Sequence, residues 1–378
     1  MCKNQICDSY HTHFSNIDDM MAFWNYQNEC EQWISVPVPE LSIVPIDGPK
    51  FAEWGADVDL LSIDDTRSNT GLAIVVKNRV YPLGSTAIKS LLDRAKISGS
   101  VLSKLQHELL ADILSACMAV HKTSDALVLI RNGKCRAVQS GDPSDYSRLD
   151  CSKLLAGITS YLDASFPGHQ FKAGYADHSI TAARWTLAGQ KDALIGAYLQ
   201  QLDAVGLRQM ASHLEPSILF QSSDVGLSSA KISAQLVGMQ GTITIGTALA
   251  VDHRHKKTVA DFNELLPQLF SQFGEQMSKI QRLLTVPLEY PVNVLTRLCK
   301  KYALPKKAAM EAISNFELIQ GKDAGTAHDV FMALQDVLFL LKRRLSVRKL
   351  LTLDENVCRV LEFTPKQWDD LDTAGVSY

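Results

Sequence analysis

Chemistry-capable residues cluster in five places. Cys2, Cys7, His11 and His13 put four zinc-competent donors into a short N-terminal stretch. Their spacing, C-x4-C-x3-H-x-H, matches none of the usual closed zinc sites, and a loosely held, solvated terminus is the plainer reading. Asp252-His253-Arg254-His255-Lys256-Lys257 follows a strand-like run. It could contact phosphate, with imidazoles that titrate near neutral pH, or be a solvated strand-to-helix loop. No Ser or Cys nucleophile with a defined setting accompanies it. Lys342, Arg343, Arg344, Arg348 and Lys349 place cations at the close of a long apolar helical pattern. There they complement the helix macrodipole, and a helix sets Arg344 and Arg348 one turn apart as a basic stripe. Arg297, Lys300, Lys301, Lys306 and Lys307 add a second basic cluster. Such stripes bind phosphate backbones by releasing counterions, or simply form a solvated face. Asp64-Asp65 is a carboxylate pair, but neighbours on a strand point to opposite faces, which argues against a shared metal.

The usual phosphate-binding, dinucleotide-binding, nucleophile-elbow and zinc-protease motifs are absent. No cofactor or metal is called for. A hydrolase or nuclease would need a site assembled from distant residues such as Asp64, Asp65, Asp224 and His253.

The elements that must position these groups form an α+β pattern. Residues 17–33 read as a helix capped by Ser15, the proline-rich stretch after it as extended chain, and 58–66 and 71–81 as strands. Helices follow over 85–92 and 100–120. Ala126–Arg131 and Lys134–Gln139 form a hairpin around Asn132-Gly133. In a two-residue hairpin Arg131 faces Lys134 and Leu129 faces Arg136, so both arginines lie near the turn, as a small anion site or as edge protection. A helix over 150–165 and strands near 171–175, 180–187, 217–222, 229–238 and 242–250 come next. Beyond 258 the pattern is helical: 258–284, 291–303, 305–318 and 325–349. The expected architecture is an antiparallel, hairpin-rich sheet with packed helices followed by an all-α C-terminal region, divided as 1–57, 58–255 and 256–378.

Composition narrows the class. With 38 Lys+Arg against 41 Asp+Glu the 378-residue chain carries a formal charge of −3, and 46% of its residues are hydrophobic. That excludes a disordered chain, a disulfide miniprotein and a uniformly basic coat. The total hides a gradient. Residues 1–70 contain Lys3, Lys50 and Arg67 as their only basic residues, whereas 297–349 is basic. Eight cysteines without a C-x-x-C pair read as reduced thiols in a cytoplasmic setting. No signal peptide or transmembrane segment is expected.

Two segments carry a resemblance. Arg131, Arg136, Ala137 and Ser140, ahead of Tyr146 and a helix, fit an R-x-x-x-x-R-A-x-x-S hairpin. Ser222 and Gly226, followed by strands and His253, fit a later turn, while Ile245-Gly246-Thr247-Ala248 departs from the Cys-Thr-Asn-Gly expected there. Over about residues 60–285 the chain resembles the phage- and plasmid-related proteins grouped as domain-of-unknown-function family 932. The resemblance implies a mobile-element setting in a bacterial host cytoplasm and no defined activity. A looser fold-level similarity is to single-strand annealing proteins. The expected function is a non-enzymatic, nucleic-acid-associated protein, homo-oligomeric, binding single- or double-stranded DNA through Arg131, Arg136, the 253–257 segment and the 342–349 run. The alternatives are a structural or protein-interaction factor, such as a host-defence antagonist or an assembly protein, and a metal-dependent nuclease or hydrolase.

Overall fold

The computed structural model of the chain describes residues 3–120, 124–238, 241–321 and 323–375, and within them the α+β expectation is met. The chain begins with β1 (His11–Phe14), α1 (Ile17–Cys30), β2 (Glu31–Pro37), β3 (Ser42–Pro45), α2 (Pro49–Trp54) and α3 (Leu60–Asn69). It continues through β4 (Leu72–Val76), β5 (Arg79–Pro82), α4 (Ala87–Ala95), α5 (His107–Ala119), β6 (Asp125–Arg131) and β7 (Lys134–Ser140). Then come α6 (Cys151–Ser165), β8 (Gln170–Asp177), β9 (Thr181–Thr186), α7 (Lys191–Ala204), α8 (Arg208–His213), β10 (Glu215–Ser222), β11 (Ala230–Gly238), β12 (Gly241–Thr244) and β13 (Leu249–Val251). The remainder is helical: α9 (Val259–Asn263), α10 (Leu269–Leu283), α11 (Pro291–Lys301), α12 (Lys306–Gln320), α13 (Ala327–Leu341), α14 (Val347–Cys358) and α15 (Pro365–Leu371). A two-strand clip, β14 (Pro287–Leu288) on β15 (Gly325–Thr326), interrupts it.

A period of two sorts the strand residues. The large sheet has the order β1-β8-β9-β10-β11-β12, with β13 also on β11, and every pairing is antiparallel. Ala183, Trp185, Ile218, Phe220, Ile232 and Leu236 point into one core, which continues through the C-terminal helices to Trp368. Arg184, Gln221, Ser233 and Gln235 alternate with them and form the opposite, polar face. The expected division at 255 falls between β13 and α9, and this core runs across it. A second layer pairs β2-β6-β7 and β3-β4-β5 around α4 and α5. In β4, Leu72, Ile74 and Val76 face those helices while Ala73 and Val75 pack with Phe51, so the strand is buried on both sides.

Several elements differ from expectation for local reasons. Residues 58–66 hold a helix start instead of a strand, because the Asp59 carboxylate accepts the N–H groups of Leu61 (2.9 Å) and Ser62 (3.3 Å). Asp64 and Asp65 therefore sit on a helix. Asn16, one residue after Ser15, caps α1 by accepting the Asp19 N–H at 2.8 Å. The expected 258–284 helix is divided around Pro267, which lacks an N–H. The expected 325–349 helix ends at Leu341, and α14 restarts from an extended Ser346 (φ −62°, ψ 150°).

That break lets α14 fold across one end of the polar sheet face. Asp354 accepts from the Thr244 hydroxyl, and Glu355 accepts from Gln221 and, at 2.8 Å, from Lys231. Burial pushes the Asp354 carboxyl up to about 7, with Glu355 adding to the rise and the Thr244 hydrogen bond opposing it. A raised acid binds its proton more tightly in the folded state. Its stabilising contribution is therefore full below about pH 4 and is lost as pH rises towards 7. Asp354→Asn should flatten the fall in stability between pH 5 and pH 8, a difference of about 2–3 kcal/mol, read by urea unfolding at the two pH values.

Candidate functional site

The β6–β7 hairpin is closed by Asn132 (φ 52°) and Gly133 (φ 72°), the left-handed pair that suits a two-residue turn. Arg131 faces Lys134 and Ile130 faces Cys135, but Leu129 faces Ala137. Arg136, expected opposite Leu129, is instead the extra residue of a β-bulge, a device that re-aims a side chain. It points inward, and Arg131, Lys134 and Arg136 are all at most 2% exposed.

Each of the three cations meets carboxylates brought from far along the chain. Arg131 pairs with Glu31 at 2.6 Å and with Asp224, and its guanidinium lies 5.7 Å from the Trp24 ring. Lys134 pairs with Asp8 at 3.1 Å and with Asp65. Arg136 pairs with Asp8 at 2.6 Å and donates to the carbonyls of Ile6 (2.6 Å) and Gln5 (3.4 Å). Glu31 also receives Arg148. The Tyr146 hydroxyl donates to the Asp224 carbonyl at 2.6 Å. Burial pushes the Asp8 carboxyl up, yet Arg136 and Lys134 outweigh it and hold it below its ordinary value. Burial likewise opposes the Arg131 charge, and Asp224 and Glu31 overcome it. His178, buried beside Arg136 and Arg131, is driven well below its ordinary value and stays neutral.

This geometry corrects the expected roles of Arg131 and Arg136. They are not a solvent-facing anion site, because burial and internal carboxylates engage both. Sequence reasoning missed Lys134, Asp8 and Glu31. A signal for them was present: an N-terminal stretch rich in acids and almost without bases must find its counter-charges elsewhere.

His253 is also corrected. It is 6% exposed, its Nδ1 lies 3.1 Å from the Ser147 carbonyl, and it stacks on Tyr146 with centroids 5.8 Å apart. Burial lowers its pKa, so it is a neutral core residue at pH 7. Arg254, His255, Lys256 and Lys257 do reach solvent. They form a tight turn, with His255 (φ 59°) and Lys256 (φ 58°) both left-handed and the Lys257 N–H on the Arg254 carbonyl at 3.1 Å. The His255 and Lys256 N–H groups fasten this turn to the carbonyls of Ser144 (2.8 Å) and Pro143 (2.9 Å). Lys257 is paired with Asp261 at 2.7 Å.

The helical region gathers the remaining cations. Short connections join α11 to α12 and α12 to β15, so α12 runs antiparallel to both α11 and α13. The C-termini of α11 and α13 and the N-terminus of α12 therefore share one end of the bundle. Arg344 reaches Glu311 of α12 at 3.7 Å, as this arrangement requires. Lys300, Lys301, Lys306, Lys307, Lys342, Arg343 and Arg344 are all exposed there. Arg348 and Lys349 open α14 just beyond, on a new helix instead of one continuous stripe. The first turns of α12 and α14 hold no acidic residue and no side-chain cap, so Lys306, Lys307, Arg348 and Lys349 stand at the positive ends of helix dipoles, where an anion is favoured, whereas the lysines and arginines closing α11 and α13 offset negative ends. Arg297 lies apart, donating to the carbonyls of Leu371 and, at 3.0 Å, Thr373.

Among the described residues no three His, Cys, Asp or Glu side chains converge to hold a metal. Cys2 lies outside the described residues, and His11 and His13 stand side by side on β1. Asp64 pairs with Arg67 at 2.7 Å, whereas Asp65 and Asp224 are each engaged by a different buried cation. No helix among the described residues is long and apolar enough to cross a membrane. Compared with family models, curated proteins and solved structures, the chain finds no match.

Removing one member of a buried ion pair strands its partner, at a cost of about 3–5 kcal/mol. Asp8→Asn should destabilise the protein by that order at pH 7. Because the Asp8 pKa is lowered by folding, its contribution is present above about pH 4 and is lost as pH falls further. The gap between variant and wild type in urea midpoints should accordingly close below pH 4.

Proposed function

We propose that the protein is a non-enzymatic, nucleic-acid-associated protein whose phosphate contacts come from the basic end of the α11–α12–α13 bundle. The observation that carries this reading is the convergence of seven exposed cations from three helix ends. Like charges held together in the free protein repel one another, and a polyanion relieves that repulsion while releasing its own counterions. Arg254 and Lys256, on the fastened turn after β13, offer a second exposed pair of contacts. The hairpin arginines serve the fold in this reading and take no part in binding. The resemblance to phage- and plasmid-related proteins supports a mobile-element role in a bacterial cytoplasm, and we propose a homo-oligomer.

A second reading, a protein-interaction factor, is favoured by one feature. Leu318 and Ile319 on α12 are 82% and 87% exposed, a paired apolar step that would suit another protein chain.

Fluorescence anisotropy against single- and double-stranded DNA across a salt series tests the preferred reading. Wild-type affinity should fall linearly on a log–log salt plot. The triple change Lys342→Gln, Arg343→Gln, Arg344→Gln should lower that slope by about 2 to 3, near one counterion per lost contact. Absence of binding at low salt overturns the proposal.

A further inference from the structure

We infer that the uncovered end of the large sheet's polar face is a stacking platform for unpaired bases, which makes single-stranded nucleic acid the ligand class. The inference rests on the nucleic-acid reading above and deepens it. Strand pairing fixes the face. His13 lies opposite Tyr175 and His11 opposite Asp177, so these side chains share one side of β1 and β8. Tyr175 in turn faces Ala182, and Arg184 faces Ala173 and Leu219. The alternating residues Phe14, Ala176, Ala183 and Trp185 belong to the core, so the first set points away from it.

Three rings meet on that side. The His13 and Tyr175 centroids are 5.2 Å apart, His11 and His13 are 5.9 Å apart, and His11 lies 6.3 Å from Tyr175 with planes 24° from parallel. Both histidines are exposed. The Tyr175 hydroxyl donates to the Asp177 carboxylate at 2.7 Å, which fixes the half-buried ring. Asp177, the carboxylate of this strip, also accepts the N–H groups of Ser179 (2.6 Å) and Ile180 (2.8 Å), so turn and tyrosine already engage it.

Two cations, Arg184 and Lys172, stand further along the same strands. Arg184 stands on the same face without an ion pair among the described residues, and its Nε is buried without an acceptor. Lys172, exposed at the β8 bulge, makes its hydrogen bond to the Gln170 amide oxygen at 2.8 Å. At the other end of the face, α14 covers Gln221 and Thr244. Aromatic rings accept a base face and cations accept the backbone, a combination that binds single strands with little sequence preference. A duplex hides its base faces in the stack and cannot use such a platform.

Anisotropy with labelled oligo(dT), an abasic oligomer of the same length and a matching duplex tests this. Wild type should bind oligo(dT) about ten-fold or more tighter than the abasic chain. The double change His13→Ala, Tyr175→Leu should erase that preference and leave abasic binding unchanged. Tyr175→Phe, which keeps the ring, should retain it, and a melting scan of each variant confirms folding. Equal wild-type affinity for oligo(dT) and the abasic chain, or an undiminished preference in the folded double variant, overturns the platform while the phosphate-contact reading stands. No binding of any oligomer at low salt overturns both.

Discussion

The structure depends on burying the charges of one hairpin. Arg131, Lys134 and Arg136 are inside the protein, and an unpaired ion there would cost several kcal/mol. They are tolerable because Asp8, Glu31, Asp65 and Asp224 arrive from the N-terminal segment, the start of β2, α3 and the β10–β11 connection. Each of those segments has its position fixed by a charge it must meet. The network thus joins the small-sheet layer to the large sheet, a junction that apolar contact also makes through Leu129, Ala137 and Val225. The hydrophobic effect is non-directional. Paired, hydrogen-bonded ions are directional, so the network adds register to the interface.

The bulge at Arg136 is what makes this possible. In an unbroken antiparallel ladder, alternation would set Lys134 and Arg136 on one side and Cys135 and Ala137 on the other. Here Cys135 and Val138 pack with α4 and α5, while Ala137 packs with Leu129 and Val225 on the opposite face. One inserted residue shifts the pattern and sends a guanidinium to Asp8, 128 positions earlier in the chain.

What the sequence made legible follows the range of the interaction responsible. The hairpin was readable because Asn132-Gly133 is a local signal, and the α+β class because periodicity is local too. The bulge was not, since it is stabilised by Asp8 and by the carbonyls of Gln5 and Ile6, whose proximity no spacing reveals. The basic runs at 342–344 and 348–349 were visible as composition. Their union with the α11–α12 lysines was not, because it follows from how α12 doubles back. His253 shows the reverse error: among exposed basic neighbours it looked polar, and its burial and its stacking on Tyr146 identify it as core.

The segment that holds Asp8 is made before the hairpin and carries counter-charge for a cation 128 residues later. During synthesis Asp8 and Glu31 therefore lack their buried cations until the β6–β7 hairpin has emerged. Until then the early segment is an acidic stretch without these counter-charges. The final fastening of the layers is accordingly a long-loop event, slow by its entropy of closure and set by topology more than by local propensity.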